Sequence, residues 1–485
     1  MLHEPPCLQQ FQRHSHRRPG NTQSFGKMTL AELCSGLKIV LMDQINDAAH
    51  QVLLKRRART RHFFACLLAH FAFLFYKILF WSRQELCPQN TSIIPCKVAM
   101  TLPLSCPFVE VSGTPFECGQ QYGEQAADRI LKGIDHYKHQ LHASGLADED
   151  LAEMIERFAG AVEAYGSQYI EEMRGIAKAV NTNLSAILLL NARTEILKLA
   201  RRRQHGQDDF IQSDECTGVF VMPSATRDGK FIHAQNWDWK AECAETSVVL
   251  KITRKDGPDI ITFTEAGGLA RTGFNAAGIT ISGNYLETDR DYRELGVPLA
   301  IIRRKVLEQT HLALSMQAVY GTRKSASNNI MVGHAHGIAI DFECAPDETF
   351  LVYPDRGLLV HANHFQSQVA LAKLLDKGVV NMPDSLYRDL RVRGLIEPHL
   401  GKVTVNHVKD ALFDNFEAPW SVCRPPRQSL SSNQSATVAM IVMVPAEGRM
   451  EVALLPAINP HFTSYDLDMR IASAGPPAQA QTDAA

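Results

Sequence analysis

A thiol stands at the head of an apolar stretch that doubles back and ends on an acid. In SDECTGVFVMPSATRDGKFIHAQNWDW, residues 213–239, Thr217–Met222 reads as one strand and Phe231–Asn236 as its return, joined by a turn at Arg227-Asp228-Gly229-Lys230. Cys216 precedes the first arm and Asp238 follows the second. Closing the hairpin is expected to bring the acid back toward the thiol. A cysteine at a strand edge is more often a small buried apolar residue than a catalyst. Here, a polar Ser-Asp-Glu run before it and Thr-Gly after it leave room for a ligand. The chemistry open to such a thiol is nucleophilic attack on a carbonyl, with a nearby base taking the proton.

Two bases are open. The stretch VHANHF offers His361 and Asn363 for a papain-like arrangement, with His364 on the opposite face if the strand alternates. The other is the α-amine of Cys216 itself, freed by cleavage after Glu215. An α-amine has a pKa of roughly 7.7–8.0, so near neutral pH a sizeable minority of it can accept a proton. An amide nitrogen has no such basicity, and the site would be silent until the chain is cut.

These residues must be positioned by the elements around them. Residues 113–203 carry helical periodicity, read as three amphipathic or buried helices. From Cys216 the period changes to two. Strands are expected at 217–222, 231–236, 247–254, 259–265, 271–275 and 278–283, followed by helices near 298–310 and 312–321. Four further strands fall between 329 and 362, with helices at 368–376, 384–396 and 405–413, and strands at 436–444 and 449–455. Helices, many strands without regular alternation, then helices again indicate α+β layers.

The chain has 485 residues and a formal charge of −2, unevenly spread. Residues 1–99 carry 13 basic against 5 acidic side chains; residues 100–485 carry 37 against 47. The acidic part argues against a nucleic-acid partner. Eleven cysteines without CxxC spacing indicate reduced thiols and a cytoplasmic setting rather than a disulfide framework. Phe63–Trp81 is a marginal membrane-spanning stretch, interrupted by His70 and Lys77, and would anchor the chain as an alternative. The favoured expectation is that residues 1–99 lie upstream of a start at Met100. Residues after Ser473 read as a disordered tail.

Several motifs occur together and in order: GTPFECGQQYGEQAA (113–127), RTE (193–195), ECTGVFV, QNWDW, FTEAGGLARTGFNAAGITISGNYL (263–286), NNIMVG, HANH and SVCR. In combination they resemble the acyl-coenzyme A:isopenicillin N acyltransferase family of N-terminal-nucleophile enzymes, over nearly all of residues 100–460. The resemblance implies an αββα sandwich preceded by a helical segment, made by cleavage before the nucleophile. It divides the chain into an extension at 1–99, a pro-region at 100–215, a catalytic region at 216–472 and a tail at 473–485. It further implies Cys216 as nucleophile and base carrier, Asp238 as the acid holding the amine, and Asn284 as an oxyanion-hole donor. Arg424 in SVCR falls where a guanidinium would grip a substrate carboxylate or phosphate, with His361 and Asn363 as further substrate contacts.

Two departures stand out. Glu215 replaces glycine before the nucleophile, and Gln434 falls where a catalytic arginine is expected. Glutamate adds bulk and charge near the thiol; solvation on a loop would relieve both. His334 and His336 lack a third ligand at a recognisable spacing, so no metal is expected. No glycine-rich phosphate loop precedes a helix, so acyl-coenzyme A would enter as substrate and no cofactor is expected. The implied partners are a small acyl donor, an amine or water acceptor, and the cleaved N-terminal fragment. The alternative is a non-catalytic or membrane-tethered binding protein that keeps the fold.

Overall fold

Alternating apolar positions make strands, and the way those strands pair sets the architecture. The computed structural model describes residues 104–205, 215–428 and 434–472. Among them, one sheet has eight strands in the order β1 (Phe108–Ser112), β4 (Ser247–Thr253), β5 (Ile260–Glu265), β6 (Thr272–Asn275), β7 (Ile279–Tyr285), β8 (Asn328–His334), β9 (Ile338–Cys344) and β10 (Thr349–Val352). The second runs β11 (Leu358–His361), β2 (Glu215–Val221), β3 (Ile232–Lys240), β13 (Gln434–Val444), β14 (Arg449–Leu454) and β15 (Thr463–Asp466), with the short β12 (Arg427–Gln428) beside β13. Pairing is antiparallel except where β1 lies parallel to β4.

The sheets face each other across a buried interior. Trp237 of β3 meets Phe263 of β5 edge-on at 5.7 Å, and Phe220 and Phe231 pack with Met331 of β8. Polar side chains also pair across this interface: His233 of β3 bonds Thr280 at 2.8 Å and Ser282 at 2.7 Å.

Helices cover both outer faces. Over the eight-stranded sheet lie α1 (Pro115–Ala143), α2 (Asp148–Tyr165), α3 (Ser167–Ala179), α4 (Leu184–Asn191) and α5 (Arg193–His205), joined by α6 (Leu299–Leu307) and α7 (Leu312–Tyr320). On the far side, after the short α8 (Gln368–Lys373) and α9 (Gly378–Asn381), come α10 (Asp384–Ile396) and α11 (Val405–Leu412). Val392, Ile396, Val408 and Leu412 of these last two helices pack on Val219, Ala234, Val360 and Met440 of the seven-stranded sheet. The layers are helix, sheet, sheet, helix, which is the αββα sandwich.

The expected strands and helices beyond residue 215 fall within a few residues of their places. Earlier, the three long helices resolve into five, because the extended backbone at Gly166 and the turn at Ala192 interrupt them. β1 adds a strand just before the stretch expected to be helical. Phe63–Trp81 and the tail after Ser473 lie outside the described residues. Among the described residues, no helix is long and apolar enough to cross a membrane.

Candidate active site

The hairpin exists as expected, and its register decides what each residue can do. Cys216 pairs with Trp237 and Glu215 with Asp238. Cross-strand partners share a face and neighbours alternate. The Cys216 thiol therefore points between the sheets, while Glu215 and Asp238 point toward α10. Asp238 does return to the head of the hairpin, one residue out of step with the thiol and on the other face.

Cys216 is buried and lines a cavity of about 50 Å³, with Asn284, Arg271 and Arg303 among the other walls. The cavity lies where β7 parts from β6: that pairing stops at Gly273–Ile281, while β7 continues to Tyr285 against β8. The Cys216 N–H donates to Asn363 Oδ1 at 2.9 Å, and its carbonyl accepts from Arg388 Nη1 at 2.7 Å. Asn363 is itself fixed on three sides. Its Nδ2 donates to Tyr285 O at 2.9 Å, its N–H to Ser385 Oγ at 2.7 Å, and its Oδ1 also accepts from Arg388 Nη2 at 2.8 Å.

Asn284 lies within β7, so it is not a turn residue. Its Nδ2 donates to the carbonyls of His361 at 2.8 Å and Ala362 at 3.0 Å, and its Oδ1 accepts from Gln235. Both amide hydrogens thus brace the two sheets in this state. His361 does not line the cavity. It is fully buried with Nε2 at 2.8 Å from Glu343 Oε1. Burial alone would discharge this imidazole, but Asp341 and Glu343 overcome it and raise its pKa to about 9. His361 forms an ion pair with Glu343 that anchors the end of β11. Asn363 holds the backbone of Cys216.

A second cluster fills the helix side of β2. Glu215, expected on a solvated loop, is in the strand and buried. Arg424 grips it with both terminal nitrogens, one at 2.8 Å, and Arg388 Nη2 approaches at 3.2 Å. Arg424 also bonds Asp384, and its Nε lies 3.4 Å from Asp238 Oδ2. Arg388 Nε donates to Asp384 at 2.8 Å, and Thr437 Oγ1 to Asp238 Oδ1 at 2.6 Å. Arg424 is therefore committed to protein carboxylates and is not open to substrate here. Three acids meet two guanidiniums, and burial keeps the surplus proton on Glu215, whose pKa is pushed up to about 7. Burial also raises Asp238. Asp384 stays below the ordinary range because Arg388 and Arg424 outweigh its desolvation.

Sequence reasoning missed Arg388, Asp384 and Arg303. The stretch DSLYRDLRVRGLI reads as a charged, solvated helix; only its i, i+4 spacing of Asp384 and Arg388 hinted at a shared face. The Gln434 side chain lies outside the described residues. His334 ends β8, its Nε2 lying 3.1 Å from Ala277 O, and His336 lies in the turn that follows. Among the described residues, no group of three or more His, Cys, Asp or Glu could hold a metal.

Residues 224–455 match the family described as acyl-coenzyme A:6-aminopenicillanic acid acyl-transferase. The 40 kDa form of acyl-coenzyme A:6-aminopenicillanic-acid-acyltransferase from Emericella nidulans is 29% identical over 364 residues, 73% of this chain and 94% of that protein. Both comparisons make the chain similar to the isopenicillin N acyltransferase-like family. Both likenesses are to acyltransferases. Among solved structures, conjugated bile acid hydrolase from Clostridium perfringens gives a TM-score of 0.37 at 13% identity, over 52% of this chain and 92% of its own. Penicillin V acylase from Agrobacterium tumefaciens gives 0.38 at 14%, over 52% and 87%. These overlaps are too loose to bear on individual residues of this chain.

Proposed function

We propose that the chain matures by cutting the Glu215–Cys216 bond, and that Cys216 then moves acyl groups from a thioester or amide to an amine or water. One observation carries this reading. The same residue lines the cavity and has its nitrogen held by Asn363 Oδ1. When the peptide is cut, that nitrogen becomes an α-amine already in place, with a pKa of roughly 7.7–8.0.

In maturation, Sγ attacks the Glu215 carbonyl carbon, the C–N bond breaks and the nitrogen takes the proton. Water then hydrolyses the thioester, leaving a carboxylate on Glu215 and a thiol on Cys216. The charge balance favours this outcome. Glu215 is the surplus acid of its cluster, and its departure leaves Asp238 and Asp384 matched by Arg388 and Arg424. Asp238 Oδ2 accepts no hydrogen bond in the uncut chain. Beside the vacated Glu215 position, it can take a charge-assisted bond from the new ammonium.

In turnover, the amine takes the thiol proton as sulfur adds to the donor carbonyl, and returns it to the departing thiol or amine. Asn284 serves the oxyanion by exchanging one of its carbonyl partners for the developing charge. An amine or water then attacks the acyl-Cys216 thioester. Coenzyme A enters as the thiol part of a donor, with no resident cofactor. Residues 100–215 form the pro-fragment and stay bound as a partner, because α5 contributes Arg193 and Glu195 to the cavity wall. Residues 216–472 form the catalytic part. The six described cysteines, all free and buried, fit a reducing compartment such as the cytoplasm.

The test is intact mass, followed by incubation with a panel of acyl thioesters and N-acyl amides. The expected result is a fragment beginning at Cys216 and turnover of at least one substrate class. Cys216→Ala should give a single uncut mass and no turnover. Turnover by that variant, or an active wild type that is never cut, refutes the mechanism. An uncut, inactive wild type would instead leave a binding protein.

A further inference from the structure

The cavity beside Cys216 holds a cation with no hydrogen-bond or ion-pair partner among the described residues, although Glu195 and Cys216 lie close enough to act on its charge. Arg303, on α6, is 6% exposed, and its buried Nε has no hydrogen-bond partner. Among the described residues its guanidinium makes no hydrogen bond and no ion pair. The next residue shows what a satisfied arginine looks like here. Arg304 points away from the cavity and grips Glu172 of α3 with both terminal nitrogens, at 3.0 and 2.8 Å.

The other charges of the cavity wall have occupations of their own. Arg193 Nε donates to Glu265, and its guanidinium lies 5.3 Å from the Tyr137 ring. Arg271 lies over the Trp237 ring at 4.0 Å. Glu195 Oε1 accepts from the Leu299 N–H at 2.9 Å. The Arg303 guanidinium crosses β7 at Gly283, immediately beside Asn284; a Cβ at 283 would meet Nη2 at 2.9 Å. Withdrawing a guanidinium from water without a partner is costly. Burial and the neighbouring Arg271 lower its pKa to about 9, which still leaves it charged at neutral pH.

We infer that Arg303 receives a carboxylate carried by the substrate, so that the amide cleaved or the amine acylated is an α-amino acid derivative. This rests on Cys216 being the nucleophile. Cys216 and Arg303 line one cavity of about 50 Å³, room for a carboxylate-sized group beside the reacting carbonyl. An anion bound there must be only a few bonds from that carbonyl. An N-acyl-α-amino acid places its carboxylate at such a separation, whereas a carboxylate at the far end of a long acyl chain does not. A planar guanidinium can also fix the orientation of that group through paired N–H donors.

The experiment measures protection of Cys216 in the matured protein against iodoacetamide, using N-hexanoylglycine and its neutral methyl ester. A charge-assisted contact predicts that the acid protects at about 10- to 100-fold lower concentration than the ester. Arg303→Gln should erase that ratio and Arg303→Lys should keep part of it. Equal protection by acid and ester in the wild type overturns the inference, whatever the variants do. So does a raised alkylation pH profile in Arg303→Gln with the ratio intact, which would assign Arg303 to the thiolate. Protection needs no turnover, so discrimination by a protein that transfers no acyl group upholds the carboxylate site while refuting the proposed activity.

Discussion

Glu215, Asp238 and Asp384 meet Arg388 and Arg424 on the helix side of β2, and the extra proton this demands is held by Glu215. Burial raises that carboxyl to about 7 against the pull of Arg424, while an unfolded chain would release the proton near pH 4.3. The folded precursor thus binds a proton that the unfolded chain has lost between these values. Its stability is full below about pH 4, falls as pH rises through 7, and levels off above. The effect is on the order of 3 kcal/mol for a group this deeply buried. In a Cys216→Ala background, which blocks cutting, Glu215→Gln should remove this part of the pH dependence. Its melting temperature should gain on the parent as pH rises from 5 to 8. Parallel melting curves for the two proteins across that range would show that Glu215 is ionised throughout.

The helices that frame the site are locked by close backbone contact. α1 begins with a capping box, Thr114 and Glu117 each satisfying the other's backbone N–H. It then crosses α3 at two reciprocal glycines. A Cβ on Gly119 would lie 1.9 Å from Glu172 O, and one on Gly175 would lie 2.1 Å from Phe116 O. Backbone sits on both sides of each clash, so the helices must part. Gly175→Ala should cost about 1–3 kcal/mol or more, read as a lower urea midpoint; an unchanged midpoint would mean that this crossing is looser than described. Much of this frame was legible in the sequence, because period-two alternation survives burial on either face. The breaks at Gly166 and Ala192 were not, since apolar spacing continues across both. At the site, Cys216, Asp238 and Asn284 stood out by motif. Their faces did not, because pairing Glu215 with Asp238 is a matter of register. Arg303 sits beside Arg304 in AIIRRKV, both buried, and Arg388 lies one helical turn before the partly exposed Arg391 in LYRDLRV, so spacing alone does not tell their roles apart.

Cutting before Cys216 would sever the chain through the middle of a continuous structure. β1, from the N-terminal side, is an edge strand paired in parallel with β4 from the C-terminal side. Tyr137 OH donates to Glu265 Oε1 at 2.6 Å, and Asn191 bonds both Gly267 O and Leu269 N–H at 2.9 Å. Glu172 pairs with Arg304, both buried, and one apolar core runs through α1–α5 and both sheets. Removing one partner of a buried ion pair alone typically costs about 3–5 kcal/mol, and separating the fragments would break many such contacts together. The cut protein should therefore elute from a native sizing column at the position of uncut Cys216→Ala, and part into two fragments only in denaturant. Glu172→Ala should lower the denaturant concentration at which they separate. This cohesion matters to the chemistry, because Arg193 and Glu195 line the cavity from the N-terminal side while Cys216 and Arg303 line it from the other. If the fragments come apart on the native column and the C-terminal one alone keeps full activity, α5 is no part of the working site.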